Sequence, residues 1–461
     1  MSIVIAGERS GVGKTTVTLA LLAALCRRQQ TVQSFKVGPD YIDPMFHSYV
    51  TGRACRNLDP ILTSQDYVRQ CFDRHSSTAD CNIIEGVMGL FDGASGTTDA
   101  GSTAQVAKLL NVPVVLILNC SSTSRSIAAI AHGYRTFDPQ IQLAGVILNQ
   151  VGSDRHLELL TAALLPLHLP ILGVLRRRDD LKIPDRHLGL IPAGELTDLN
   201  ATIDRLATVG ETCFDWDRLL PLLMAKPDRD RSLVFTPPPP PLREAVRPLR
   251  IAVAKDAAFN FYYADNLDLL RLGAELVEWS PLSDALPPDI CGLYFGGGFP
   301  EVFAENLAEN RSAIVAVKAA VVAGMPTYAE CGGLMYLSDR IVDFDDRSYD
   351  MVGIFPTTAV MGKKLTLGYR QLTLLQDSLM LDSGDRVWGH EFHRSTLTDL
   401  PDRPLYDLQG YESNSIFQPE GWCKYSAQAA YTHLHFGARP DLPERFIERC
   451  RKFDRVFASR K

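Results

Sequence analysis

The sequence predicts an α/β protein in two domains: an N-terminal P-loop domain, built as a parallel sheet with helices on both faces, and a second α/β domain after it. Three observations point there. The apolar run Ser2-Ile3-Val4-Ile5-Ala6 leads into Gly7-Glu8-Arg9-Ser10-Gly11-Val12-Gly13-Lys14-Thr15-Thr16, the pattern of a strand, a glycine loop and a helix. Short β-type runs alternate with helical stretches through both halves, as they do around a parallel sheet. Five consecutive prolines, Pro237 to Pro241, followed by Arg243-Glu244 and Pro248, exclude helix and central strand and mark a stiff polyproline linker near the middle of the chain. At 461 residues the chain exceeds what one hydrophobic core organises. Domains are therefore expected at residues 1–233 and 249–461, with residues 234–248 as linker.

The β-type runs before the linker are 2–7, Val32 to Val37, Asn82 to Val87, Val112 to Asn119, Leu143 to Asn149 and Ile171 to Leu175. After it they are Leu249 to Lys255, Glu275 to Trp279, Gly292 to Phe295 and Pro326 to Ala329. A formal charge of −7 argues against an electrostatic nucleic-acid binder. No stretch looks like a spanning helix or a signal peptide, which predicts a cytoplasmic protein. The ten cysteines lack paired metal-type spacing, and in a reducing compartment most should be small buried hydrophobes.

The opening loop is a phosphate cradle. Gly11 and Gly13 let backbone N–H groups turn toward one anion, and the helix N-terminus adds its partial positive charge. Lys14 supplies a mobile cation for the outer phosphates, the Thr15 hydroxyl suits Mg²⁺, and Thr16 continues the site. The strict pattern wants glycine at position 8, where Glu8 stands; Gly7 comes one residue early, so the loop is a longer variant. At the carboxyl end of the second run lies Lys36-Val37-Gly38-Pro39-Asp40-Tyr41-Ile42-Asp43, on the edge where open α/β sheets bind ligands. Lys36 suits phosphate or a carboxylate substrate; Asp40 and Asp43 suit Mg²⁺ or substrate positioning. Glu85 ends the third run, where a magnesium ion is a carboxylate's natural partner. The loop from Gly86 through Asp92 to Ala104 is long enough to cover a substrate. Asn149 ends another run and can hydrogen-bond a base.

In the second half, Pro326-Thr327-Tyr328-Ala329-Glu330-Cys331-Gly332-Gly333-Leu334 has the form strand, tight turn, helix. Such an elbow exposes the Cys331 thiol and aims the Gly332 N–H at one point, where it can hold an oxyanion. Gly296-Gly297-Gly298-Phe299-Pro300-Glu301 offers amides to complete that hole. Thr432-His433-Leu434-His435 places two histidines on one face if it is a strand, either a base for Cys331 or a weak metal site. His390 and His393 are rival bases; their i, i+3 spacing misses the two-histidine zinc helix, and residues 388–393 read as a polar strand near the domain interface.

Together these segments resemble the cobyrinic acid a,c-diamide synthase family of corrinoid biosynthesis. The resemblance rests on Gly11 to Thr16, Lys36 to Asp43, Glu85-Gly86-Val87-Met88-Gly89-Leu90-Phe91-Asp92-Gly93, Gly296 to Glu301, Glu330 to Gly333 and His433 to Phe436, in the family's order. The first half also looks like dethiobiotin synthetase, whose elongated phosphate loop has the same glycine-to-lysine spacing. That likeness implies ATP as co-substrate, with Mg²⁺ on Thr15, Asp40 and Glu85. It also implies Asn149 against adenine, and Lys36, Tyr41, Asp43 and Asp92 on substrate or phosphate. The second half looks like a class I glutamine amidotransferase domain, implying Cys331 as nucleophile, His433 as its base, and Gly297 and Gly332 as the oxyanion hole. That class usually carries a glutamate two residues after the histidine. Here His435 stands there, as this family leads one to expect, which leaves open what orients His433; without such a carboxylate the base is held less strongly and modest glutaminase turnover is predicted.

The implied reaction is ATP- and glutamine-dependent amidation of the a and c acetates of cobyrinate. A diamide synthase for hydrogenobyrinate or a nickel-containing tetrapyrrole would use the same residues. A partitioning-type ATPase would carry a signature lysine where Arg9 stands and has no use for Cys331; a lone ligase would not need it either.

Overall fold

The computed structural model describes residues 2–178, 184–187, 189–196, 198–224, 248–411 and 418–458. The chain divides into two compact units, Met1–Phe235 and Thr236–Lys461. The expected linker, but for Pro248, lies outside the described residues.

The first unit is a seven-stranded parallel sheet. Its strands are β1 (Ser2–Gly7), β2 (Val32–Val37), β3 (Arg56–Leu58), β4 (Cys81–Glu85), β5 (Val114–Asn119), β6 (Leu143–Val151) and β7 (Ile171–Arg176), in the order β3-β2-β4-β1-β5-β6-β7. Every residue of β1, β2 and β4 is buried, as expected of central strands covered on both faces. The helices are α1 (Lys14–Arg27), α2 (Ile42–Thr51), α3 (Gln65–Ser76), α4 (Thr103–Leu110), α5 (Ser126–Phe137), α6 (Asp154–Leu164), α7 (Leu199–Cys213) and α8 (Trp216–Met224), with a short hairpin, β8 (Asp185–Arg186) and β9 (Gly189–Leu190), before α7. Helix α1 is buried continuously from Val17 to Leu25 because α7 covers its outer side. Strands β1, β2 and β4 all deliver their carboxyl ends to one edge, and register pairs Ile5 and Lys36 with Glu85 there.

The second unit is built on two larger sheets. One has the order β12-β10-β13-β15-β23-β22, from β10 (Arg250–Ala254), β12 (Glu275–Trp279), β13 (Gly292–Phe295), β15 (Thr327–Glu330), β22 (Trp422–Lys424) and β23 (Ala427–Ala430), parallel except for its last pair. Beside it, β11 (Phe259–Phe261) pairs β14 (Gly297–Gly298). Helices α9 (Ala264–Arg271), α10 (Ala304–Glu309), α11 (Arg311–Val322), α12 (Gly332–Leu337) and α13 (Asp441–Ala458) complete this layer. The other sheet is mostly antiparallel: β16 (Ser338–Val342), β17 (Ser348–Asp350), β18 (Phe355–Leu374), β19 (Arg386–Leu397), β20 (Tyr406–Gly410), β21 (Gln418–Glu420) and β24 (His433–Leu434).

All ten predicted β-type runs contain a strand. The second sheet was not anticipated. Its longest strand, β18, is half-buried and shifts register between Met361 and Thr366, so it shows neither a continuous apolar run nor a clean alternation. Residues 388–393 do form strand, inside β19.

Candidate functional site

The phosphate loop closes on glycines in the left-handed region, Gly11 at φ 76° and Gly13 at φ 93°, a conformation that costs other residues roughly 1 kcal/mol or more. Gly13 is the N-cap of α1 and no side chain caps the helix, so its first amides keep their hydrogen-bonding capacity for an anion. Asn149 Nδ2 donates to Val12 O at 2.8 Å and would collide with a Cβ at position 13. The predicted base contact is thus tied to the loop itself.

Lys14 Nζ donates to Met88 O at 2.5 Å and to Arg9 O at 3.4 Å. Burial, then the charge of Lys36, pushes its pKa down to about 8. Thr15 Oγ1 lies 2.9 Å from Glu85 Oε1 and 3.2 Å from Asp43 Oδ2. Lys36 Nζ reaches Asp43 Oδ2 at 2.5 Å, Glu85 Oε1 at 2.9 Å and Asp40 Oδ2 at 3.6 Å. Burial opposes the Lys36 charge, but the three carboxylates outweigh it and hold its pKa well above the usual lysine value. Burial likewise opposes charge on Glu85, and Lys36 and His47 outweigh it, so Glu85 stays ionised. Burial and Asp40 push Asp43 up. Asp40 Oδ1 accepts from the N–H groups of Ile42 and Asp43, holding the start of α2 and its buried N-cap residue, Tyr41. Asp92 Oδ2 accepts from Gly89 N at 3.0 Å, and its charge acts on Lys14. Thr16 follows in the first turn of α1.

His47, a residue missed in the sequence, places Nε2 2.7 Å from Glu85 Oε2. The signal was there: His47 is four residues after Asp43, one turn along the same helix face.

In the second unit Cys331 sits between β15 and α12 at φ 47°, ψ −101°, a conformation only its surroundings can impose on a non-glycine residue. Its N–H donates to Ala430 O at 2.7 Å. Burial, then the charge of Glu301, pushes the thiol up, while the Gly332 N–H pulls the other way, so Cys331 needs a base to become a nucleophile. The glycine loop ties the pieces together. A Cβ on Gly297 would stand 2.5 Å from His433 Cε1 and 3.1 Å from its Nε2, and one on Gly332 would meet Pro300 Cδ at 3.0 Å and Gly298 N at 3.2 Å. Gly333 N donates to Gly296 O at 3.0 Å.

The histidines differ in their contacts. The strand at His433–Leu434 ends before His435, and the two rings face different partners. His433 Nδ1 is 3.7 Å from Glu330 Oε2; His435 lies against Tyr263 and accepts from Gly437 N through Nδ1. His390 pairs in register with His433, and burial, then the His433 and Arg370 charges, pushes it down to about 3. His393 stacks on Tyr431 at 3.9 Å, with Nδ1 2.8 Å from Ser395 O. Glu330, directly before Cys331 in the chain, is the other residue that local pattern does not single out.

Residues 3–191 match the CobQ/CobB/MinD/ParA nucleotide binding domain and residues 250–441 the CobB/CobQ-like glutamine amidotransferase domain. The chain is 59% identical over 454 residues to cobyrinate a,c-diamide synthase of Synechococcus sp., covering 98% of this chain and 99% of that one. It is 51% identical to the Synechocystis sp. protein of the same name, over 99% of this chain and 94% of that one. It is also 41% identical to hydrogenobyrinate a,c-diamide synthase of Streptomyces coelicolor, over 97% of each. The chain belongs to the cobyrinate a,c-diamide synthase family, ligase-type enzymes that join a nucleotide-binding domain to a glutamine amidotransferase domain.

Proposed function

We propose that the protein amidates the a and c acetate carboxylates of cobyrinate, using ATP and glutamine, in the cytoplasm. The observation that carries this reading is the pairing, on one chain, of a phosphate cradle set against buried carboxylates with a strained cysteine elbow and a histidine that both pack against one glycine loop. In the first unit ATP transfers its terminal phosphoryl group to a substrate carboxylate, giving an acyl phosphate and ADP. Ammonia then attacks the acyl carbon and phosphate leaves. Lys14 and the loop amides hold the phosphates, with Lys36, Tyr41, Asp43 and Asp92 toward the substrate side.

The residues present fit Mg²⁺. Thr15, Asp40, Asp43 and Glu85 offer hard oxygen donors, and three carboxylates face the one buried lysine that touches them all, Lys36. Bound there, the ion would neutralise charge on the transferring phosphoryl group.

In the second unit His433 takes the proton from Cys331, whose sulfur attacks the glutamine side-chain carbonyl. The N–H groups of Gly332 and Gly297 face the oxyanion, ammonia leaves with the proton, and water hydrolyses the thioester to glutamate. Cys331→Ala should abolish glutamine-dependent product while ammonia-dependent product survives. Equal loss of both would sink this division of labour. The 41% likeness to a hydrogenobyrinate enzyme supports one alternative substrate. Product assays with cobyrinate, hydrogenobyrinate and nickel-sirohydrochlorin decide among them, cobyrinate being expected to turn over fastest.

A further inference from the structure

We infer that Glu330, the residue immediately before the nucleophile, is the carboxylate that orients His433. This rests on the reading of Cys331 and His433 as the glutaminase pair. It replaces the glutamate that the wider class carries two residues after its histidine, where this chain has His435.

Glu330 is 2% exposed at the end of β15, where an unpartnered carboxylate would cost several kcal/mol. Its partners define its two oxygens separately. Oε1 accepts from Leu434 N at 2.9 Å and from Tyr328 OH at 2.6 Å. Oε2 accepts from Tyr294 OH at 3.1 Å and lies 3.7 Å from His433 Nδ1. Burial, followed by the Glu330 charge, holds both phenols well above their usual range, so they stay protonated donors. The backbone beside the base and the base's own ring therefore both meet one fixed carboxylate. At 3.7 Å the ring contact is longer than a hydrogen bond, and catalytic contacts of this kind commonly tighten in the substrate complex.

The arrangement sets the tautomer. A carboxylate facing Nδ1 favours the proton there and leaves the Nε2 lone pair, on the Gly297 side, to accept the Cys331 proton. His435 cannot serve, since its Nδ1 accepts from Gly437 N and its Nε2 lies 3.9 Å from Asp265. The modest turnover expected from the missing downstream glutamate loses its premise.

Glu330→Gln tests the assignment with little change of shape. Two donors, Leu434 N and Tyr328 OH, pin the amide oxygen at the Oε1 position, which turns the NH₂ toward Nδ1. That group donates to Nδ1 and forces the proton to Nε2, the wrong tautomer for a base. In the full-length enzyme the expected result is a fall in glutaminase kcat of about 10²- to 10⁴-fold, with little change in glutamine KM and a melting temperature within a few degrees. Nitrogen NMR of ¹⁵N-histidine-labelled protein, with His433 assigned by its loss in His433→Asn, should show Nε2 unprotonated in the parent and protonated in the variant. A purely structural Glu330 would move melting and leave that tautomer alone. Glu330→Asp keeps the charge and should recover at least tenfold over Glu330→Gln; equal loss in the two, or an unchanged tautomer, overturns the inference. Cys331→Ala is assayed alongside. If it too keeps glutamine-dependent synthesis, the glutaminase reading fails; if it loses that synthesis while Glu330→Gln stays active, only the role of Glu330 fails.

Discussion

Lys14 is buried, and the outer phosphates proposed for it would act on its proton in the opposite direction to burial. Burial and Lys36 lower its pKa to about 8, while a bound triphosphate would raise it again. By linkage, a group whose pKa rises on binding contributes fully below its free value and loses that contribution as pH climbs through the interval between free and bound values. Affinity for a non-hydrolysable ATP analogue, measured calorimetrically without divalent metal, should be level below about pH 8 and then fall by up to about tenfold per pH unit. Deprotonation of Asp43, which burial and Asp40 push up, adds negative charge as pH rises and so acts in the same direction. A flat profile from pH 7 to 9.5 would remove Lys14 from the phosphates.

Among the elements, α1 and α7 show how packing reaches the cradle. Gly210 on α7 lets the helices approach closely: a Cβ there would strike Ala20 O and come within 2.7 Å of Ala24 Cβ. Arg27 closes the same contact by donating to Thr208, Glu211 and Asp204. Because α1 starts at Lys14, displacing it moves the phosphate loop. Gly210→Ala should therefore cost about 1–3 kcal/mol in denaturant unfolding and raise the KM for ATP. Unchanged stability would mean the helices slide apart without strain. The contact was hidden in the sequence, where a glycine inside a helical stretch reads only as a weak position.

At the scale of the molecule the chain carries separate cores. The first unit buries Val4, Phe35, Ile84 and Leu116 in one cluster. The second packs two, one around Phe295, Leu334 and Phe355 and one around Ile251, Tyr294 and Phe446. Among the described residues no β-sheet is shared between the units. Calorimetry should accordingly resolve two unfolding transitions, and an ATP analogue at about 100 times its Kd should stabilise one of them by about 2.7 kcal/mol and leave the other in place. A single transition that moves as a whole would show that the units unfold together.

Local pattern alone determined the strand and glycine loop at residues 2–16, the acids at 40, 43 and 85 and the cysteine elbow; it left His433 and His435 as a pair, and only the resemblance to glutamine amidotransferases singled out His433. Each of those local features is written in adjacent residues, because a phosphate loop or a nucleophile elbow is a local backbone shape that only certain neighbours permit. Tertiary structure decided which groups meet. Thr15 touches Asp43 as well as Glu85, Asn149 bonds Val12 O, His47 supports Glu85, and His390 pairs in register with His433, all through contacts across 28 to 137 residues of chain. Glu330 is the sharpest case. It sits beside Cys331 in the sequence, yet its partner His433 comes from a strand more than 100 residues later, and only the packing of β15 and β24 brings the carboxylate and the imidazole together.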